Sequence, residues 1–405
     1  MSHLEASSRP DPTRPLVVLV GGTDVHLRID LIQAMRDEFA FAVCGSEPGL
    51  AEAFSRADLP YYVYPLPRGA SPVGDARALL VLTRLLRRLR PSVVHAMGSK
   101  PSVVGRLAAR AAGVPVVIGT IPGLGSLFAR DGLSVRLQRR AYLLLQGVAC
   151  GLSDLTTVQH VDDLNALVRR GVLPHRKAIV IPGSGVRTDL FSPVATVGAR
   201  ARVRSELGVP HDAIVVTMVA RLIRAKGVAE FAEAATAVRD RRPDTAFLLV
   251  GPMDEQSIDR IPRHEMSRYA ETVTWIGPRQ DVPAILAASD IFVLPTYNPE
   301  GIPRVLLEAA STGLAIVTTP LPGCRDVVED AVTGLLVPPR DGPALAGALL
   351  RLIEDPSLRR ELGRRARAHA VANFDLRLIA ARLKEIYHAQ LDGCRHVSGR
   401  EALAQ

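Results

Sequence analysis

Asp290-Ile-Phe-Val-Leu-Pro-Thr-Tyr-Asn-Pro-Glu-Gly-Ile-Pro-Arg-Val-Leu-Leu-Glu308 reads as a strand, a loop and the start of a helix. Ile291–Leu294 is a short apolar run of the kind that is buried on both faces in a parallel sheet. Pro295 and Asn298-Pro299 break it. Pro303 sits where a helix favours its first residue, Val305 to Leu307 carry the helix on, and Gly313 can end it. In parallel sheets ligands bind beyond the carboxyl ends of the strands, at such junctions. The backbone N–H groups around Gly301, Ile302 and Arg304 are expected to face that crevice, where the helix dipole favours an anion. Gly301 carries no side chain to hold a ligand off the backbone. Two carboxylates bracket the turn: Glu300 in the loop, and Glu308 on the order of 7 Å along the helix axis. Each can accept hydrogen bonds from a pair of hydroxyls and so hold a sugar ring. The alternative is that Glu300 caps the helix and Glu308 is a surface residue.

A chain of 405 residues exceeds what one hydrophobic core organises, so two domains are expected. Hydrophobic and charged contents of 47% and 22% are those of a soluble globular protein. No apolar run is long enough for a membrane span, and no signal-peptide pattern opens the chain. Cys44, Cys150, Cys324 and Cys394 lack metal-ligand spacing and are expected to be reduced and unpaired. The net charge of +9 would suit nucleic acid or an anionic membrane. Only four of the fifty basic residues are lysines, so part of the arginine load is compositional, and 4% aromatics is thin for stacking on single strands. Nucleic acid is therefore not an expected partner.

In chain order, residues 1–14 read as a disordered lead-in. Leu16–Val20, Phe39–Cys44, Tyr61–Tyr64, Val93–Met97, Val114–Gly119, Leu155–Gln159 and Ala178–Ile181 read as strands alternating with helices. A second series follows at Ala213–Ala220, Ala246–Gly251, Thr272–Gly277, Ile291–Leu294, Leu314–Thr318 and Leu335–Val337. This alternation predicts an α/β protein of two Rossmann-like, doubly wound domains facing each other across a cleft. The first domain is placed at 15–190, a linker at 191–201 and the second domain at 202–372, with a helical break at Asp355-Pro356. A last amphipathic helix, 373–391, is expected to return toward the first domain, and 392–405 to form a tail.

Val219-Ala-Arg-Leu-Ile-Arg-Ala-Lys-Gly227 follows a strand directly, so Arg221 and Lys226 can reach the crevice of Glu300 from a neighbouring strand end. Two cations beside a helix N-terminus suit a diphosphate; the alternative is a solvated basic loop. There is no G-x-x-x-x-G-K-[ST] loop, no complete dinucleotide fingerprint and no Asp-x-Asp, so neither a nucleotide cofactor nor a metal is expected. His95 and Lys100 end a first-domain strand. His95 suits an acid–base group or a satisfied structural histidine, and Lys100 could meet an acceptor phosphate. Gly22, after the first strand, either admits a ligand closely or simply turns the chain.

Taken together, Arg221, Lys226, Glu300 and Glu308 resemble the donor site of retaining glycosyltransferases of family 4, which have the GT-B fold. The resemblance runs from about Val17 to Leu391, and Gly323-Cys-Arg-Asp-Val-Val328 and Thr333-Gly-Leu-Leu-Val-Pro338 also match that family. It implies that Arg221 and Lys226 bind the donor diphosphate. It places Glu300 on the transferred sugar, Glu308 on the ribose, and Arg279 with its neighbouring backbone near the base. Glu300–Glu308, Pro182-Gly-Ser-Gly-Val186 and Lys100-Pro-Ser-Val-Val-Gly-Arg106 look like bacterial members that act on undecaprenyl-diphosphate-linked saccharides. Two positions depart from the pattern. Thr120 stands where many members have a histidine, and Arg187 where an Asp is frequent.

The resemblance thus implies a retaining transferase moving a sugar from a nucleoside-diphosphate donor, with a UDP-sugar expected, to a polyprenyl-linked saccharide; the absence of Asp-x-Asp makes a metal-independent reaction the expectation. The implied location is cytoplasmic, peripheral at the inner face of the membrane. The alternatives are a soluble or phospholipid acceptor, a silent sugar-nucleotide sensor and a fold-related epimerase. An anionic membrane surface is the expected docking partner. Residues Asp75–Arg90 predict a helix with Leu82, Leu85, Leu86 and Leu89 as its buried stripe, and Arg77, Arg84 and Arg88 opposite.

Overall fold

Short, mostly apolar runs form the strands. Leu16–Val20 (β1), Ala40–Gly45 (β2), Tyr61–Val63 (β3), Val93–Met97 (β4), Val116–Ile121 (β5), Leu155–Val158 (β6) and Ala178–Val180 (β7) belong to one sheet. Ile214–Val219 (β8), Thr245–Val250 (β9), Thr274–Trp275 (β10), Ile291–Leu294 (β11), Ala315–Thr318 (β12) and Leu335–Leu336 (β13) belong to another. The computed structural model describes residues 11–125, 128, 132–194, 198–255 and 257–402, with side chains to Cys394. The seven-stranded sheet has the order β3-β2-β1-β4-β5-β6-β7 and the six-stranded sheet the order β10-β9-β8-β11-β12-β13. Every strand pair is parallel. In each sheet the order turns back on itself once, between β1 and β4 and between β8 and β11, and these are the switch points where such sheets open a ligand crevice.

The chain forms two compact units. The first runs to Ser184 and is taken up again from Leu376; the second spans Gly185–Asp375. The expected linker at 191–201 is therefore corrected: all of it lies inside the second unit. The Val186 amide donates to the Phe374 carbonyl, and the Phe191 carbonyl accepts from the Ser311 hydroxyl at 2.6 Å, which fixes this segment. The helix Ala199–Glu206 begins where the linker was expected to end. The second unit has one continuous core in which Ile291–Leu294 is wholly buried.

In the first unit the sheet is covered on one face by helices Pro72–Leu89 and Ser99–Ala111. The other face takes the C-terminal helix Leu376–Ala402, through Ile379, Ala380, Leu383, Ile386 and Tyr387. Burying each larger apolar side chain contributes roughly 1.5–3 kcal/mol, enough to anchor the helix without the charge pairs at its edge. The expected tail from 392 is a further correction, because the helix continues to Ala402. Residues 1–10 of the expected lead-in lie outside the described residues. Asp11–Arg14 instead forms a turn, with the Thr13 amide donating to the Asp11 carboxylate at 2.9 Å. The helix expected at Asp75–Arg90 starts three residues earlier; Leu82 and Leu86 are buried, Leu85 and Leu89 half-buried, and Arg77, Arg84 and Arg88 exposed. Among the described residues no helix is long and apolar enough to cross a membrane.

Candidate functional site

Lys226 follows β8 and Glu300 follows β11, the two neighbouring strands at the second unit's switch point. Their side chains meet there: the Lys226 ammonium donates to both Glu300 carboxylate oxygens, at 2.6 and 2.7 Å. The lysine side chain is 11% exposed and the glutamate 26%. Desolvation offsets most of the Coulombic gain of such a half-buried pair, so it is a weak source of stability. Its chemistry is a cation and a carboxylate held together at the mouth of the sheet.

The loop carrying Glu300 is clamped from both sides by glycines. Gly227 has φ +81°, and a Cβ there would lie 2.2 Å from the Pro295 carbonyl oxygen. A Cβ on Gly323 would lie 2.2 Å from the Gly301 carbonyl oxygen. Only the absence of both side chains lets the three segments pack this closely. Threonines complete the frame. The Thr296 hydroxyl lies 3.0 Å from the Ala225 carbonyl and 3.3 Å from Glu300 Oε1, and the Thr319 hydroxyl donates to the Thr296 carbonyl at 2.6 Å. Cys324, beneath Glu300 and Lys226, is buried, and burial pushes its thiol pKa up to about 12. Thr296 does not stand out in sequence, where a Thr four residues before a loop glutamate is the one available signal, and Cys324 enters only as part of the Gly323–Val328 stretch.

The helix after this loop is Arg304–Thr312, with Pro303 extended as its N-cap and Gly313 left-handed as its C-cap. Glu308 is buried in its second turn, not on the surface, and accepts from Arg304 Nε at 2.9 Å. Ile302 is buried in the core and Gly301 half-buried beside Gly323. Arg221 is 60% exposed and pairs with Asp254 at 2.8 Å. With the guanidinium this exposed, solvent screens the pair and it is worth only about 0–1 kcal/mol. Arg279 follows β10 at the far edge of the sheet, clamped by both oxygens of Asp281 and by Glu206 at 2.7–2.8 Å. The fold does not bring its guanidinium to the Lys226–Glu300 pair. Among the described residues no cluster of His, Cys, Asp and Glu has metal-binding geometry.

In the first unit, Gly22 follows β1, and a Cβ on it would lie 3.3 Å from the Pro101 ring. Lys100 donates to the Pro67 and Gly69 carbonyls, at 2.9 and 2.6 Å, and forms an ion pair with Asp75 at 2.5 Å. It ties the 67–75 segment to the helix Ser99–Ala111. His95 is corrected as an acid–base candidate, because it is completely buried. Its Nδ1 lies 2.7 Å from the Tyr387 hydroxyl and its Nε2 2.6 Å from the Thr120 hydroxyl, which in turn lies 2.7 Å from the Thr157 hydroxyl. The chain of contacts pins the C-terminal helix to β4, β5 and β6. Thr120, at the position of the family's frequent histidine, is a link in it. Arg187 pairs with Asp189 at 2.9 Å.

Burial, helped by the positive charges of Arg28 and Arg106, lowers the His95 pKa to about 3. Between pH 6.5 and 3 the unfolded chain takes up a proton that the folded chain refuses. The stability from His95 is therefore complete above pH 6.5 and lost by up to about 1.4 kcal/mol per pH unit as pH falls through that window. His95→Gln is expected to flatten the fall in urea midpoint between pH 7 and 4.5 relative to wild type; parallel slopes would contradict it.

Two family models divide the chain. One described as "Glycosyl transferase 4-like domain" matches residues 22–184, and one described as "Glycosyl transferases group 1" matches residues 213–355, together about three quarters of its length. The chain is 29% identical over 348 residues to an Escherichia coli UDP-Gal:alpha-D-GlcNAc-diphosphoundecaprenol alpha-1,3-galactosyltransferase, covering 85% of this chain and 87% of the relative. It is 28% identical over 374 residues to a Campylobacter jejuni N,N'-diacetylbacillosaminyl-diphospho-undecaprenol alpha-1,3-N-acetylgalactosaminyltransferase, covering 91% and 96%. Its backbone is similar to that of Anabaena HepE in complex with UDP, with a TM-score of 0.75 at 21% identity over 93% of this chain and all of that one. With two parallel-sheet Rossmann-like units and both family models in order, the chain belongs to the GT-B glycosyltransferases with a 4-like N-terminal and a group 1 C-terminal domain.

Proposed function

We propose that this glycosyltransferase moves a sugar from a UDP-sugar to a saccharide carried on a polyprenyl diphosphate, with retention at the anomeric carbon. The observation that carries the donor side is the Lys226–Glu300 pair at the β8/β11 switch point. Lys226 and Arg221 meet the diphosphate, whose negative charge grows as the sugar leaves, and the N-terminus of Arg304–Thr312 adds its dipole. Glu300, held by Lys226 and Thr296, orients the sugar. Glu308, steadied by Arg304, takes the ribose hydroxyls, and the backbone around Arg279 meets the base. Retention rests on the family resemblance. The acceptor class rests on the two relatives named for undecaprenyl-diphosphate-linked substrates, which align over nearly the whole chain. Such an acceptor places the enzyme at the inner face of the cell membrane, held peripherally by an anionic surface.

Because the sequence has no Asp-x-Asp to bridge a divalent ion to the diphosphate, the protein's own cations are assigned that charge. A thermal-shift screen of nucleotide sugars identifies the donor: a UDP-sugar at a hundred times its Kd is expected to add about 2.7 kcal/mol of stability. Transfer from that donor to a polyprenyl-diphosphate-linked N-acetylhexosamine should then persist in excess EDTA. Loss of transfer in chelator, restored by magnesium or manganese, would overturn the metal-independent part of the proposal.

A further inference from the structure

Helix Leu133–Leu152 in the first unit breaks the usual division of an amphipathic helix. One of its faces is packed, through Val135, Gln146, Ala149 and Cys150. The opposite face is not polar: Leu133, Leu137, Leu144, Leu145, Val148 and Leu152 are 85%, 69%, 70%, 50%, 48% and 43% exposed. At 3.6 residues per turn, Leu133, Leu137, Leu144 and Val148 fall within about 60° of arc, and Leu145 and Leu152 widen the stripe on one side. Scattered surface leucines need no explanation, but this one helix holds a third of the large exposed hydrophobic residues among the described residues.

Charge tells what covers the stripe. The helix contains Arg136, Arg139 and Arg140 and no Asp or Glu, and Arg136 and Arg140 border the edge of the stripe away from Leu145. The helix packs against Ser99–Ala111, whose other flank is Pro72–Leu89, so the three form one layer over the sheet. The outer face of Pro72–Leu89 interleaves exposed Val73 and Leu80 with Arg77, Arg84 and Arg88. Its single acid, Asp75, is taken by Lys100. A second copy of the chain on this face would bury arginines with no carboxylate on the helix to pair them, which is costly. A layer of anionic phospholipid headgroups supplies phosphates for the arginines and acyl chains for the leucines.

We propose that Leu133–Leu152 lies in the headgroup region of an anionic bilayer, its leucine stripe inserted and its arginines on lipid phosphates. Pro72–Leu89 then adds a basic flank and is not the principal contact, which revises the membrane face expected from sequence. The helix is about 30 Å long and does not span. This inference deepens the proposal of a lipid-linked acceptor and rests on it for its biological sense, although the surface stands without it.

The test is co-sedimentation of the full chain with phosphatidylcholine vesicles, with and without phosphatidylglycerol, at low and high salt. Wild type is expected to pellet with phosphatidylglycerol-containing vesicles, less at high salt. Leu133→Gln with Leu137→Gln and Leu144→Gln, all at exposed positions, is expected to lower the partition coefficient by about tenfold or more at either salt. Arg136→Gln with Arg140→Gln should weaken binding only where phosphatidylglycerol is present. Equal sedimentation of the leucine variant and wild type, no sedimentation of wild type, or a wild-type dimer in light scattering that the leucine changes dissociate would each overturn the proposal. Transfer to a water-soluble, short-chain acceptor diphosphate should be the same in wild type and both variants. Its absence from wild type would count against the proposed activity and leave the docking result unaffected.

Discussion

Lys226→Ala is expected to lower kcat/KM by about a hundred- to a thousandfold, the scale for losing one fixed positive partner of a charge that develops in the transition state. The change also leaves Glu300 half-buried without its cation, so the carboxylate proposed to orient the sugar loses its fixed position. Lys177→Ala is the matched control. Lys177 is another of the four lysines, and its ammonium donates to the Gly151 and Ser153 carbonyls at 2.7 Å in the first unit. It should lose little activity. Both readouts are steady-state rates with the donor found by the thermal-shift screen. Comparable losses from the two lysines would remove Lys226 from the reacting centre.

Gly227→Ala is expected to destabilise the second unit by about 2–5 kcal/mol, the sum of left-handed strain on a residue with a Cβ and of overpacking against Pro295. The clash is with backbone, which has nowhere to go without moving the Glu300 loop, so turnover should fall together with stability. Trp275, the chain's only tryptophan, lies in this unit and reports its urea unfolding by fluorescence. Gly347→Ala is the contrast: in the middle of helix Gly342–Glu354, with nothing within 4 Å of the added Cβ, it should be neutral or stabilising by up to about 1 kcal/mol. Equal midpoints for the two variants would show that the Gly227 turn does not need a glycine.

The Lys226–Glu300 pair is legible in the sequence because it depends on local grammar. Two apolar runs, Ile214–Val219 and Ile291–Leu294, signal parallel strands, and the side chains that follow strand ends converge at a switch point. The scarcity of lysine singles out Lys226. What surrounds a residue from a distant segment is not legible. His95 looks like a cleft residue until Tyr387, 292 positions on, is seen against its ring. Lys100 looks free until the 67–75 segment folds over it, and Arg279 until Glu206 and Asp281 close on its guanidinium. The last helix is expected to end at 391, yet Gly393 beyond it costs a helix only about 1 kcal/mol, and the helix runs on. Hydrophobic periodicity behaves the same way in Leu133–Leu152. It marks an apolar face and cannot say whether protein or lipid covers it.

The central claim is that the two carboxylates of the Glu300–Glu308 segment serve different ends: Glu300 the reacting sugar, Glu308 the nucleotide. The most direct measurement sets equilibrium UDP binding beside turnover at saturating donor for Glu300→Gln and Glu308→Gln. Glu300→Gln is expected to bind UDP as wild type does while turnover falls by about a hundredfold or more. Glu308→Gln is expected to weaken UDP binding by about 1–3 kcal/mol, as a buried ribose loses a charged acceptor, with turnover per bound donor largely kept. Equal weakening of UDP binding by both changes, with turnover per bound donor intact in both, would contradict the assignment.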